Sequence, residues 1–126
     1  MSRVQKGTLG TGANILYNKD YNAKTFTVDG SLEVDGKSVV MEDGRKIVKA
    51  GSFIKGKTTP LLKGGTIGVL ATDGTVEGIL YDDVDITDGA VEGSLVVRGN
   101  INETKLPVAA AEEVEAALKT RILLMK

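Results

Sequence analysis

The sequence predicts a mainly β fold: a small β-sandwich or barrel-like domain with one short C-terminal helix and an extended N-terminal arm. Three observations carry that expectation. Asp-Gly occurs five times, at 29–30, 35–36, 43–44, 73–74 and 88–89, and this pair favours tight hairpin turns because both residues tolerate positive φ. Short pieces rich in β-branched and apolar residues lie between the turns, the pattern of a small all-β domain. Only near the C-terminus does the composition change to strong helix formers.

The first 24 residues contain glycines at 7, 10 and 12 and no sustained periodicity. They read as an extended arm, poorly ordered in isolation, and Ile15, Leu16, Tyr17 and Tyr21 give it apolar surface with which to dock. Residues 25–126 form the β-rich domain, the size of a single folding unit. Its strands are expected at 25–28, 38–41, 46–49, 66–71, 76–81 and 94–98. Glu33-Val-Asp-Gly-Lys-Ser38, followed by Val39 and Val40, is the clearest hairpin pattern. A helix is predicted over about 108–120. Pro107 suits a first turn, Glu112 and Glu113 come early and Lys119 and Arg121 late, as the helix dipole favours. Val114 and Leu118 would share its buried face. Ile122, Leu123, Leu124 and Met125 read as a last strand at about 122–125.

Composition narrows the chemistry. The chain has no cysteine and no histidine, which removes disulfides, thiolate metal sites, and the commonest general base and metal ligand. No apolar run is long enough to span a membrane, and the N-terminus lacks the apolar stretch of a signal peptide, so a cytoplasm-like site of synthesis is expected. Charge is unevenly spread. Six basic and no acidic residues lie between Arg45 and Lys63, whereas seven acidic residues face a single Arg98 between Glu77 and Glu103. Such asymmetry serves nucleic-acid binding, head-to-tail contact between copies, or simply two solvated faces. With only Phe53 as an aromatic in the basic stretch, a stacking platform for bases is poorly supported, and the reading is two solvated faces.

Four motifs invite a chemical reading. GSFIKGKT at 51–58 fits the phosphate-loop pattern G-x-x-x-x-G-K-[ST]. That loop needs a following helix to present its N–H groups, yet Pro60 biases Thr59 away from helical angles and Gly64 and Gly65 follow at once. The expected structure is a short strand and a turn rich in glycine and lysine, without nucleotide. KIVKAGSFIKGK is similar to the carrier segment of lipoyl and biotinyl domains, but the only Met-Lys pair is Met125-Lys126, far from a hairpin tip. The run Asp82, Asp83, Asp85 and Asp88 invites calcium. Counted from Asp83, however, the glycine falls one place late and Ser94 stands where the twelfth ligand should be. These aspartates read as a solvated loop making Asx-type turns, and nothing nearby splits their pKa values as a catalytic pair requires. The glycines at 7–12 have no strand before them and no helix after, and read as plain backbone. No cofactor, no metal and no catalytic constellation is expected.

One segment carries a family signal. Gly78-Ile-Leu-Tyr-Asp-Asp-Val-Asp-Ile-Thr-Asp-Gly89, then Gly93-Ser-Leu-Val-Val-Arg-Gly99 and Asn102-Glu-Thr-Lys-Leu106, resemble the head decoration (capsid cement) proteins of tailed bacteriophages, broadly the lambda type. Ala50-Gly51-Ser-Phe-Ile54 supplies a further element, and the resemblance covers about residues 46 to 126; residues 25–48 match less well. The resemblance implies a homotrimeric, non-enzymatic virion protein on the outer surface of the expanded capsid, made in the host bacterial cytoplasm. Its partners would be the major capsid protein and itself, with neither nucleic acid nor membrane involved. The arm is then expected to contact the capsid through Arg3, Val4, Lys6, Leu9, Ile15, Leu16 and Tyr17, by adding a strand to an exposed sheet edge. The alternative is a head fibre or adhesion protein binding host polysaccharide, which the shortage of aromatic residues disfavours. A small nucleotide- or metal-dependent enzyme is a more distant rival.

Overall fold

The computed structural model describes residues 7–8, 15–16, 21–64 and 66–125. Along the chain these form β1 (Gly7–Thr8), β2 (Asn22–Val28), β3 (Val39–Glu42), β4 (Arg45–Val48), β5 (Phe53–Gly56), β6 (Gly68–Leu70), β7 (Gly78–Leu80), β8 (Val84–Asp85), β9 (Val91–Asn102), α1 (Glu112–Leu118) and β10 (Ile122–Met125). The fold is mainly β, with one α-helix near the C-terminus.

Hydrogen bonding closes β9, β2, β6, β5 and β7, in that order, into a five-stranded barrel. Neighbours are antiparallel except β2 and β6, which meet in parallel at the single pair Val28 and Gly68. A bond of 3.0 Å from the Asp29 N–H to the Gly68 carbonyl extends this seam. Glycine is required there, because a Cβ on Gly68 would lie 2.4 Å from the Phe26 ring. β10 lengthens the wall by pairing in parallel with residues 99–102 of β9. A second, antiparallel sheet runs β1-β8-β4-β3.

β5, β7 and the middle of β9 carry adjacent apolar residues because both faces are buried there, whereas β2 buries only Phe26 and Val28 on one face. Successive side chains point to opposite sides of a strand. Phe53, Ile79 and Val96 therefore enter one core while their neighbours Ile54, Leu80 and Leu95 enter another. The first core is completed by Ile101, Val114, Leu118 and Ile122, so α1 and β10 cover one flank of the barrel. The second takes Phe26 and Val28 from β2 with Val39, Val48 and Val84 from the smaller sheet. Each such fully buried aliphatic side chain contributes about 1.5–3 kcal/mol relative to exposure.

Two local expectations shift. The tight hairpin is β3–β4, whose turn residues Asp43 (φ 53°) and Gly44 (φ 74°) both adopt positive φ, as a type I′ turn demands. At Glu33–Ser38 no strand precedes the turn. The Asp35 carboxylate instead accepts bonds from the N–H groups of Lys37 and Val39 at 2.8 and 3.0 Å, a local side-chain bond that competes with sheet pairing. The helix begins at Glu112, not near 108, because Ala111 is extended (φ −68°, ψ 158°). Its buried face is Val114 and Leu118, as the spacing predicts.

Candidate functional site

Of the seven arm residues expected at a capsid, Ile15 and Leu16 fall among the described residues; Arg3, Val4, Lys6, Leu9 and Tyr17 lie outside them. Ile15 is only 2% exposed and belongs to the core shared with α1 and β10. Its carbonyl accepts a 2.7 Å bond from the Asn102 N–H, and Leu16 makes an antiparallel bridge with Ile101. Upstream, Gly7 stands opposite Asp85 and Thr8 opposite Val84, adding β1 to the edge of β8. Both described pieces thus engage the chain's own sheets through backbone pairing. β2 also starts at Asn22, ahead of the expected boundary at 24.

The two charge blocks meet each other. The Arg45 guanidinium donates to Asp85 at 2.6 Å, and the Lys49 ammonium lies 3.1 Å from Asp83 and 3.4 Å from Glu42. Arg45 stands on β4 and Lys49 just after it, Asp85 on β8 and Asp83 just before it, and the antiparallel register brings Ile47 opposite Asp85. Arg45 and Lys49 of the basic block are thus matched by Asp85 and Asp83 of the acidic one, whereas Lys57 of the basic block lies against Asp29, outside the acidic block. Asp83 also accepts the Ala50 N–H at 2.6 Å, and Asp85 accepts both the N–H and the hydroxyl of Thr87. The Asx-type turn expected here is present at Asp85, but Asp85 itself is buried, not solvated. Burial by itself would raise its carboxyl; the Thr87 bonds and the Arg45 charge outweigh that and hold it below the ordinary carboxylate range. Lys49 is pulled down by burial, but Asp83 and Glu42 outweigh it and raise the ammonium. Asp29 is lowered chiefly by the Ser31 N–H, then by the Ser31 hydroxyl, with Lys57 adding to both. Among the described residues no three acidic side chains gather to hold a metal ion.

The segment GSFIKGKT resolves into β5 and a turn. A single 3₁₀ turn, Leu61–Lys63, follows where a phosphate loop would have a helix. The Gly56 N–H donates to Glu77 Oε2 at 2.7 Å, and the Leu61 N–H donates to the same oxygen at 2.9 Å. Lys57 donates its N–H to the Ile67 carbonyl, and its ammonium lies 3.5 Å from Asp29. A Cβ on Gly56 would sit 1.8 Å from the Thr59 carbonyl oxygen, so the turn closes only on glycine. A cleft of about 210 Å³ opens beside it, bordered by Lys55, Thr58, Thr59, Thr75 and Glu77.

Sequence reading missed Glu77 altogether. Its bonded amides lie 21 and 16 residues away, and nothing in the letters marks a carboxylate for that distant turn. Arg121, expected to complement the helix dipole, instead donates to the carbonyls of Glu77 (2.8 Å) and Val97 (3.2 Å), tying β10's approach to β7 and β9. No described helix is long and apolar enough to cross a membrane. No protein family, curated protein or solved structure matches this chain.

Proposed function

We propose that the chain is a decoration protein of a tailed bacteriophage head, seated as a homotrimer on the outer face of the expanded capsid, where it clamps neighbouring major capsid subunits. The observation that carries this reading is how the N-terminal segment is used. Its root is locked into the core at Ile15, while residues upstream pair through the main chain with a sheet edge at β8. A segment anchored at one end and paired by its backbone is suited to lending a strand to a neighbouring protein, since main-chain bonds supply the affinity. Three such segments on one trimer multiply a weak contact through effective concentration. The reading is structural and non-catalytic, and calls for no cofactor, nucleic acid or membrane.

The test is cosedimentation with expanded, empty heads of the phage that encodes the chain, beside a mass measurement of the free protein. The informative truncation removes residues 1–14, because a cut after 24 would also take Ile15 from the core and the start of β2. The shortened protein should remain folded, with unchanged circular dichroism, and should stay in the supernatant while the full chain pellets with the heads. Undiminished cosedimentation of the shortened protein, or none by the full chain, overturns the proposal.

A further inference from the structure

The turn that imitates a phosphate loop is already occupied. Two N–H groups, from Gly56 and Leu61, converge at 2.7 and 2.9 Å on one carboxylate oxygen of Glu77. Hydrogen bonds from two amides to a charged oxygen are the means by which proteins hold carboxylates and phosphates. The loop reaches this shape because Gly56 allows the Thr59 carbonyl to fold over it, and Pro60, with no N–H of its own, hands the second donor position to Leu61. Glu77 is fixed independently of its side chain. Its N–H donates to the Ile54 carbonyl at 2.8 Å and its carbonyl accepts from Arg121 at 2.8 Å. The carboxylate is therefore presented to the loop by a rigid backbone. Lys55 and the threonines at 58, 59 and 75 border the adjoining cleft, a setting that welcomes negative charge and oxygen acceptors.

We infer that the loop of residues 56–61 is an oxyanion receptor kept filled by the chain's own Glu77 carboxylate, and that this self-ligation closes it to free carboxylates and phosphates. A tethered ligand acts at an effective concentration of about millimolar or higher, which dilute external anions do not match while Glu77 is in place. Removing the tethered carboxylate leaves the two donors without that acceptor and the adjoining cleft free to admit an external oxyanion. This inference stands apart from the capsid proposal and does not depend on it.

Thermal unfolding of the wild type and of Glu77→Ala tests it, in sodium chloride, acetate and phosphate at matched ionic strength. The melting temperature of Glu77→Ala should fall by on the order of 10 °C, from the loss of two charge-assisted bonds. Acetate or phosphate at about ten times its dissociation constant should then restore roughly 5 °C more than the same salt adds to the wild type. The wild-type comparison removes the general stabilisation that phosphate gives any protein. Recovery in acetate alone assigns a carboxylate-sized receptor, and recovery in both salts a broader oxyanion receptor. Equal salt effects on the two proteins overturn the inference. Should the variant fail to fold, Glu77→Gln, which keeps a side-chain oxygen for the turn but not its charge, takes its place. Added acetate or phosphate should move the Gly56 and Leu61 amide NMR signals saturably in that variant and leave them in place in the wild type, and equal movement in both overturns the inference.

Discussion

Replacing Ile15 by alanine separates a structural anchor from a surface contact. Ile15 is 2% exposed and shares its core with Phe53, Ile79, Ile101, Val114, Leu118 and Ile122. The truncation deletes three carbons, about 2.4 kcal/mol at about 0.8 kcal/mol per buried methylene. The cavity left among these large side chains adds to that, for a total of about 3 kcal/mol. In a chain of this size that corresponds to a fall of about 12 °C in melting temperature. Ile15→Val should cost about 1 kcal/mol, giving a graded pair. Urea unfolding followed by circular dichroism at constant m-value measures both. A loss below about 0.5 kcal/mol for Ile15→Ala would refute the reasoning, because the root of the arm would then not be held in the core. It would reopen Ile15 as a contact made only with a partner.

Four further outcomes follow from the same geometry. Gly56→Ala should lose about 2–4 kcal/mol, since a Cβ 1.8 Å from the Thr59 oxygen forces the turn open; urea midpoints measure it. Asp85→Asn should cost about 2 kcal/mol, because the buried side chain loses its charge while still facing Arg45. Stability should fall in acid. Asp29, Asp35 and Asp85 are held below the ordinary carboxylate value, so the stability they contribute is whole above about pH 5 and is lost as pH drops through about 4 towards their depressed values. Lys49 is raised, so its contribution persists below its ordinary value of 10.5 and is lost only in stronger alkali. Urea titrations from acid to alkali read both limbs, and Asp85→Asn should flatten the acid one. Finally, ATP with magnesium should leave the melting temperature of the wild type unchanged in a thermal-shift assay, because Glu77 fills the turn; a saturable rise would refute that.

The legible parts of this fold were those set by neighbours in sequence. The spacing of Val114 and Leu118 placed the helix face, and the run at 122–125 coincides with β10. GSFIKGKT gave up its strand and turn because Pro60 and the glycines after it forbid a helix. Asp-Gly alone did not reveal which pair turns a hairpin. Asp43-Gly44 does so because strands on both sides have partners, whereas the Asp35 side chain captures its own loop. What stayed hidden depends on contacts across long separations. The cancellation of Arg45 and Lys49 by Asp85 and Asp83 requires knowing that β4 lies beside β8. Glu77 in the turn and Ile15 in the core require the barrel to be closed first.

The barrel's parallel seam has a consequence for how the protein assembles and breathes. β2 and β6 share a single register pair joining residue 28 to residue 68, while the other barrel junctions carry two or more. Closing a long loop for so small a return places this junction late in folding, after the antiparallel strands have met. The same junction is expected to part first in the native state, so the Asp29 amide, bonded to the Gly68 carbonyl, should exchange its hydrogen with solvent sooner than the amides between β2 and β9. The cylinder is in effect a curled ribbon held by one clasp.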